Sequence, residues 1–321
     1  MTTLESLGLI GIGLVLLLAG AEALVRGAST LALRFGVSPL VVGLTVVAFG
    51  TSSPELMVSL GASLRGQGGV AAGNVVGSNI ANLGLIVGAA TALAPMAISR
   101  TLLRFDMPVM IVSLLLLLAF MADGGLSRLE GGLLTAGIVA YTFHSIRASR
   151  RAVRAAREVE LPPEVEAALA EPRRRVFRHA LFAIGGVALL VYGADLLVRG
   201  AVDLARDVGV SEAVIGLTLI AVGTSLPELA TTLVAAARRQ GEMALGNAIG
   251  SNIFNVFGVI GPVALVAPFR SPDIGWDVLG IMVGIAALTY FFLATGARTR
   301  RWEGFVLLVC YALYLWWIVP V

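Results

Sequence analysis

The chain has 321 residues, of which 58% are hydrophobic and only 13% are charged, and its mean hydropathy is +0.92. Because a typical soluble domain carries about 25% charged residues, this composition excludes a soluble globular protein and predicts a membrane protein. The single cysteine, Cys310, excludes an intramolecular disulfide and a cysteine cluster for metal. Both histidines, His144 and His179, border the charged middle of the chain, so zinc-based or histidine-based catalysis is not expected.

Ten apolar runs follow one another along the chain, each long enough to cross a bilayer. We therefore predict an all-α polytopic membrane protein with ten transmembrane helices. The first run lacks a basic region before its apolar core, so we interpret it as a retained helix and not as a signal peptide. In chain order the predicted helices are 7–29, 39–64, 70–95, 105–123, 129–147, 178–204, 212–237, 243–268, 275–295 and 303–320.

The arginines predict the orientation in the membrane. Segment 147–178 holds nine of the 23 arginines, and placing it in the cytoplasm brings eight more to the same side. Seventeen arginines would then lie inside and four outside, namely Arg65, Arg128, Arg206 and Arg270, whereas Arg26 and Arg199 fall within predicted helices. The positive-inside rule then puts both termini on the extracytoplasmic side of an inner or plasma membrane. Glutamates are interspersed among the arginines of the segment, which favours a solvated linker over a nucleic-acid-binding region.

An internal repeat divides the chain into two halves. When the sequence is shifted by 173 positions, Ser38–Asn82 and Ser211–Asn255 share 25 identities in 45 positions without a gap, and AEALVRGA (21–28) aligns with ADLLVRGA (194–201). We assign 1–147 to a first five-helix repeat, 148–177 to a cytoplasmic linker and 178–321 to a second five-helix repeat. Because five is odd, the second copy must enter the membrane from the opposite side, which makes this an inverted-topology repeat. Secondary transporters use this design and bind their substrates at the repeat interface.

The alternative of a duplicated scaffold without transport would preserve apolar and small residues. Here the polar and helix-breaking residues match best between the halves. They are Thr51/Thr224, Ser52/Ser225, Pro54/Pro227, Glu55/Glu228, Asn74/Asn247, Ser78/Ser251, Asn79/Asn252 and Asn82/Asn255.

The sequences GTSSPE (50–55) and GTSLPE (223–228) each place a proline and a carboxylate inside an apolar run. Proline lacks an N–H group and crowds the carbonyl four residues earlier, so the carbonyls of Gly50 and Gly223 should be freed. Unpaired backbone at membrane depth persists where it lines a polar cavity or is buried in protein. Further carbonyls expected to be exposed are those of Ala48, Thr51, Ala221 and Thr224.

A packing kink alone would account for each proline, but the adjacent glutamates Glu55 and Glu228 favour a functional site, since intramembrane carboxylates are costly. Carboxylate, hydroxyl and carbonyl oxygens are hard ligands that suit Na⁺ or Ca²⁺. Two ionised glutamates would give a charge of −2, and neither motif contains a basic residue. The site is therefore predicted to select cations.

A second pair of motifs, GNVVGSNIAN (73–82) and GNAIGSNIFN (246–255), begins the next helix of each repeat. Residues four apart share a helix face, so Asn74, Ser78 and Asn82 form one polar stripe. Interhelical hydrogen bonding is an alternative role, especially for Asn74, Asn79, Asn247 and Asn252. For the deeper residues we favour ion ligation, namely Ser78, Asn82, Ser251 and Asn255.

These paired motifs resemble the alpha-repeats of the sodium/calcium exchanger family, within the cation/calcium antiporter superfamily, and the resemblance spans nearly the whole chain. It implies Na⁺/Ca²⁺ antiport by alternating access, with the first and sixth helices sliding against a fixed core. It also implies Ca²⁺ coordination by Glu55 and Glu228 with the carbonyls of Thr51 and Thr224. For Na⁺ the resemblance adds Ser52, Ser78, Ser225, Ser251 and the backbone oxygens of Ala48 and Ala221, and Asn82 and Asn255 complete the centre.

Differences between this sequence and other branches of the superfamily indicate which ions are exchanged. Some relatives, including potassium-dependent ones, carry aspartate where this chain has Asn255, so no K⁺ requirement is expected. Proton/calcium exchangers typically carry an asparagine-containing variant of GTSxPE, which favours Na⁺ over H⁺ here, although a Ca²⁺/H⁺ antiporter remains the closest alternative. The linker is too short for the regulatory domain of animal members, so regulation by calcium sensing is not expected.

Other classes of protein fit less well. An intramembrane enzyme would need a base beside Ser52 or Ser225, but the chain has no lysine and both histidines border its charged middle, so no such partner is expected. A passive channel disagrees with the two-fold repeat and its buried carboxylates. We expect a functional monomer in membrane lipid that carries Ca²⁺ and Na⁺ as substrates, without cofactor, enzymatic activity or nucleic-acid partner.

Overall fold

The computed structural model describes residues 2–35, 37–157, 173–207, 221–272 and 274–318. The described chain is almost entirely helical. We number the helices as α1 Thr3–Phe35, α2 39–51, α3 Ser53–Leu64, α4 Gly68–Leu93, α5 102–120, α6 Arg128–Arg157, α7 Arg173–Asp207, α8 Ala221–Thr224, α9 Leu226–Ala237, α10 Gly241–Val266, α11 Trp276–Ala294 and α12 Arg301–Ile318. The predicted α-helical polytopic membrane fold is thereby confirmed, with one small addition of two-residue strands, β1 Gly125–Leu126 and β2 Phe269–Arg270.

Length and apolar composition allow six described helices to cross a bilayer, namely α1, α4, α5, α7, α10 and α11. Helices α2 and α3, bent by 45° at their junction, make a seventh when they are counted together. The predicted helix 212–237 falls partly on residues 208–220, which lie outside the described residues. The count of ten spans stays a prediction.

Helices α4 and α10 form the centre of the molecule. In each of them 78% of the most apolar stretch is buried, against 33% in α1 and 28% in α7. Small residues allow this close packing, since Gly250 of α10 lies against the backbone of Leu44 in α2. The two motifs that begin with GN therefore lie in the protein interior, whereas α1 and α7 form the periphery.

The two halves are joined by the same contact at both faces of the molecule. Strand β1 pairs antiparallel with β2, with Gly125 opposite Arg270, and Ala97 forms an isolated bridge with Arg298. These two pairs are related by the 173-residue shift with the roles of the halves exchanged. Gly68, the first residue of α4, lies against Arg270 of the first bridge, and Ala97 of the second bridge follows the last residue of α4. Because α4 has 26 residues, the two bridges lie at opposite ends of the molecule. This reciprocal arrangement agrees with an inverted repeat.

Helices α1 and α7 pack antiparallel along a line of glycines spaced seven residues apart. A β-carbon on Gly20 would lie 2.8 Å from the carbonyl oxygen of Gly186 and 2.8 Å from the backbone nitrogen of Leu190. Small residues let membrane helices approach to backbone contact. The glycines of this seam are Gly13, Gly20 and Gly27 in α1 and Gly186, Gly193 and Gly200 in α7.

The middle of the chain is more helical than hydropathy indicates. Helix α6 continues to Arg157 and α7 begins at Arg173, so both extend into the segment 148–177 that we assigned to the linker. Alanine and arginine have high helix propensity, which extends a helix into water beyond the apolar run. Residues 158–172 lie outside the described residues, and the division into two repeats and a linker stays a prediction.

Candidate cation-binding site

Both GTSxPE motifs interrupt their helices at the serine. Ser52 separates α2 from α3, and Ser225 separates α8 from α9. The proline follows at the start of each new helix, where its missing N–H costs little. Glu55 and Glu228 then lie in the first turn of α3 and α9. The positive end of the helix dipole favours a carboxylate at this position.

Each glutamate accepts a hydrogen bond from the serine of the opposite repeat. Ser52 Oγ donates to Glu228 Oε1 at 2.8 Å, and Ser225 Oγ lies 3.3 Å from Glu55 Oε1. Ser225 Oγ also lies 3.1 Å from Ser78 Oγ. All five side chains are at most 2% exposed. The two repeats therefore build one buried site together, and each completes the other's half.

A pair of asparagines fixes the backbone beside the glutamates. Asn74 Nδ2 donates to the carbonyl oxygen of Glu55 at 3.2 Å and to Ser59 Oγ at 2.9 Å. Asn247 Nδ2 makes the equivalent bonds to the carbonyl of Glu228 at 3.3 Å and to Thr232 Oγ1 at 2.8 Å. The hydrogen-bonding role proposed for Asn74 and Asn247 as an alternative thus matches their contacts.

The same asparagines link the two repeats through the threonines of the motifs. Thr224 Oγ1 lies 3.2 Å from Asn74 Oδ1, and Thr51 Oγ1 lies 3.5 Å from Asn247 Oδ1. Their side-chain hydroxyls are therefore engaged, which leaves the carbonyl oxygens as the candidate ligands of these threonines.

The carbonyl of Ala48, one of the two alanines proposed as backbone ligands, is already hydrogen-bonded. The Ala48 carbonyl accepts the Ser52 N–H at 2.9 Å and Thr51 Oγ1 at 3.4 Å. A role as Na⁺ ligand would compete with these bonds. Ala221 is the first residue of α8, and its ligand role stays a prediction.

Several buried polar atoms at this site have no hydrogen-bond partner within the described part of the chain. They include one oxygen of each glutamate and both polar atoms of Asn82 and Asn255. Buried polar groups without partners are rare in proteins, so the oxygens of this set fit a site for cations. Among the unpartnered atoms are Glu55 Oε2, Glu228 Oε2, Ser251 Oγ, and Oδ1 and Nδ2 of both Asn82 and Asn255.

No three His, Cys, Asp or Glu side chains come together among the described residues. A cation here would therefore rely on two carboxylates supplemented by hydroxyl, amide and carbonyl oxygens. Such all-oxygen sets are typical of Ca²⁺ and other hard cations.

Asn82 and Asn255 each begin a π-helical segment, Asn82–Val87 in α4 and Asn255–Ile260 in α10. Turns of this kind are frequent at functional sites. The sequence predicted a regular helix here, and hydropathy contains no signal for the wider turn. The identity of both asparagines after the 173-residue shift and their place on a polar stripe single them out in the sequence, but neither feature indicates the wider turn.

Two supporting residues were missed by the sequence analysis. Ser59 and Thr232 follow the glutamates by four residues, so they lie on the same helix face. Both are buried and both accept the amide of an asparagine. Their matched positions and shared hydroxyl chemistry were the available signal, but a serine–threonine exchange does not count as an identity.

Comparison with known proteins agrees with this geometry. Residues 5–147 and 178–319 match the family described as Sodium/calcium exchanger protein. The putative antiporter CaxA of Alkalimonas amylolytica is 38% identical over 307 residues, which cover 94% of this chain and 95% of that protein. The sodium/calcium exchanger MaX1 of Methanosarcina acetivorans is 36% identical over 95% of this chain and 95% of that protein.

The fold agrees as well. The solved structure of the sodium/calcium exchanger from Methanococcus jannaschii superimposes with a TM-score of 0.83 at 30% identity and covers 98% of both chains. A family match over both halves, relatives of near-equal length and a solved structure of the same fold therefore converge. The chain is a member of the sodium/calcium exchanger protein family.

Proposed function

We propose that this chain is a secondary active antiporter that exchanges Na⁺ for Ca²⁺ by alternating access and does so without K⁺. The observation that carries the proposal is the buried pair Glu55 and Glu228, one from each repeat, each with one carboxylate oxygen unpartnered within the described residues. No arginine among those residues forms an ion pair with either carboxylate. A divalent cation or several monovalent cations would supply the missing charge.

Charge balance gives the exchange a physical basis. Two ionised carboxylates carry −2, which one Ca²⁺ balances and which two or three Na⁺ balance or slightly exceed. Because both ions would use the same carboxylates, each excludes the other. Asn82 and Asn255 are neutral ligands in the same centre, and Asn255 adds no third charge that would hold an additional K⁺.

As a member of an exchanger family the chain is a multi-pass membrane transporter and not an enzyme, and its ions are substrates, with no cofactor. The relatives named antiporter and sodium/calcium exchanger support the choice of substrates. We place the chain in the inner or plasma membrane as a monomer surrounded by lipid, with the arginine-rich middle in the cytoplasm and both termini outside. The arginine asymmetry supports this orientation.

The rival function is Ca²⁺/H⁺ antiport, in which the two glutamates carry protons instead of Na⁺. One experiment separates the two. Proteoliposomes loaded with Na⁺ are diluted into Na⁺-free buffer that contains ⁴⁵Ca²⁺ and a protonophore. We expect uptake that requires internal Na⁺, survives the protonophore and is unchanged by K⁺. Uptake that follows an imposed pH gradient and ignores Na⁺ would replace this proposal with the rival.

Substitution Asn255→Asp tests the absence of a third charge. We expect it to change the Na⁺ dependence of Ca²⁺ uptake by at least about threefold or to introduce a dependence on K⁺ or pH, since a buried carboxylate can bind a cation or a proton. The measurement is ⁴⁵Ca²⁺ uptake across a series of Na⁺, K⁺ and pH values. The matched control is Asn252→Asp, because Asn252 is equally buried and bonds to Ala248 of its own helix. Unchanged dependence in Asn255→Asp would make Asn255 a structural residue.

A further inference from the structure

An ion pair joins the periphery to the core at one face of the molecule. Arg238, the residue that follows α9, donates from Nε to Glu22 Oε2 of α1 at 2.7 Å, and its Nη2 pairs with the other oxygen of the same carboxylate. Two residues further on, Gln240 accepts a bond of 3.0 Å from Ser29 Oγ. The Glu22 and Arg238 side chains are each about a third exposed. This bidentate pair attaches α1 to the helix that carries Glu228.

The 173-residue shift reproduces the same charges at the opposite face, but unpaired with one another. Glu22 corresponds to Asp195 in α7, and Arg238 corresponds to Arg65 at the end of α3. Asp195 pairs with Arg199 one turn along its own helix, at 3.0 Å, and Arg65 Nε lies 3.5 Å from Gln67. Within the described residues, Arg65 and Asp195 form no ion pair with each other. An ion pair thus connects α1 to α9 at one face of the molecule, whereas Asp195 and Arg65 do not connect α7 to α3 at the other face.

The contacts at the two ends of α4 show that the two faces lie on opposite sides of the molecule. Gly68 at its first residue contacts Arg270, whereas Met96, just beyond its last residue, contacts Gly241. Arg65 precedes Gly68 and Arg238 precedes Gly241, so the two arginines lie at opposite ends of a helix of 26 residues.

The packing between helices differs at the two faces in the same way as the ion pairs. Helix α1 lies along α9, whereas the corresponding pair of α7 and α3 has almost no contact. Helices α1 and α7 are joined to each other along the glycine seam, with backbone contacts at Gly20 and Gly186. A displacement that separates α1 from α9 must therefore carry α7 with it.

We propose that Glu22–Arg238 and Asp195–Arg65 are alternating ion-pair latches, one at each face, and that one opens as the other closes when the α1–α7 pair moves. The proposal rests on the proposed exchange cycle, which requires two such states. In the structure described here the Glu22–Arg238 latch is closed. In the opposite state Asp195 exchanges Arg199 for Arg65 while Glu22 keeps Arg26, with which it already pairs at 2.5 Å.

Cross-linking tests this alternation in the full chain. In a Cys310→Ser background, two double-cysteine variants are treated with a short bifunctional methanethiosulfonate in solutions that contain both Na⁺ and Ca²⁺. These are Glu22→Cys/Arg238→Cys and Asp195→Cys/Arg65→Cys. We expect each pair to cross-link, each cross-link to stop ⁴⁵Ca²⁺ uptake, and reduction to restore it. The control Glu22→Cys/Arg65→Cys joins opposite faces and should not react.

A third substitution in each variant tests whether removing one latch favours closure of the other. Adding Arg65→Gln to the first pair should raise its cross-linking rate, and adding Arg238→Gln to the second pair should raise that one, each by roughly two- to fivefold, the range expected for one exposed ion pair. Protein that transports Ca²⁺ but never cross-links between positions 195 and 65 would overturn the latch and leave the exchange intact. The same holds if both third substitutions leave the rates unchanged. Absence of Na⁺-dependent ⁴⁵Ca²⁺ uptake in the unaltered chain, with the protein folded by size-exclusion chromatography, would instead contradict the proposed function.

Discussion

Glu55→Gln and Glu228→Gln are each expected to lower the initial rate of Ca²⁺ uptake by at least about 100-fold. Removing one partner from a buried charged set costs about 3–5 kcal/mol, and every 1.4 kcal/mol is a factor of ten in affinity. Glutamine retains the shape of the side chain and removes a buried negative charge, so the free energy of unfolding should not fall. The measurements are ⁴⁵Ca²⁺ uptake in proteoliposomes and thermal unfolding in detergent.

The matched control for these variants is Glu242→Gln. Glu242 also lies in the first turn of a helix, α10, and is partly buried, but it takes no part in the site. It should retain full uptake. If both Glu55→Gln and Glu228→Gln transported Ca²⁺ at the normal rate, the assignment of this centre as the ion site would be wrong.

Gly20→Ala is expected to destabilise the protein and to reduce transport. Its added methyl group would lie 2.8 Å from both Gly186 O and Leu190 N, so α1 and α7 would have to separate. Overpacking of this kind costs about 1–3 kcal/mol. Thermal unfolding and ⁴⁵Ca²⁺ uptake report the two effects.

The same helix supplies the control for this prediction. A β-carbon on Gly11 meets nothing within 4 Å, and alanine favours helix over glycine by about 1 kcal/mol. Gly11→Ala should therefore be neutral or slightly stabilising. Equal melting temperatures for the two variants would show that the seam tolerates separation. Gly193→Ala, with backbone contacts at 2.9 Å to Gly13 and Leu17, should behave like Gly20→Ala.

The sequence was sufficient to predict the helical membrane fold and to nominate the centre of the site. The reason is chemical: a carboxylate beside a helix breaker in an apolar run is expensive, and finding it twice at a fixed offset identifies both copies. The repeat also made it reasonable that residues far apart in the chain meet. Ser225 and Glu55 are 170 positions apart and lie within hydrogen-bond distance.

Other features of the structure could not be predicted from the periodicity of apolar residues along the sequence. The π-helical turn at Asn82 departs from the regular 3.6-residue period, and the helical ends at Arg157 and Arg173 lie outside the apolar runs. The sequence also did not predict the difference between the two faces. Matching charges in the two halves predict a symmetric molecule, whereas Glu22 pairs with Arg238 and Asp195 does not pair with Arg65.

The reciprocal bonds between Ser52 and Glu228 and between Ser225 and Glu55 make the two halves of the chain dependent on each other. Either half by itself would hold one of the two buried carboxylates and would lack the serine that donates to it. The supporting positions are less strictly matched, since Ser59 in one half corresponds to Thr232 in the other.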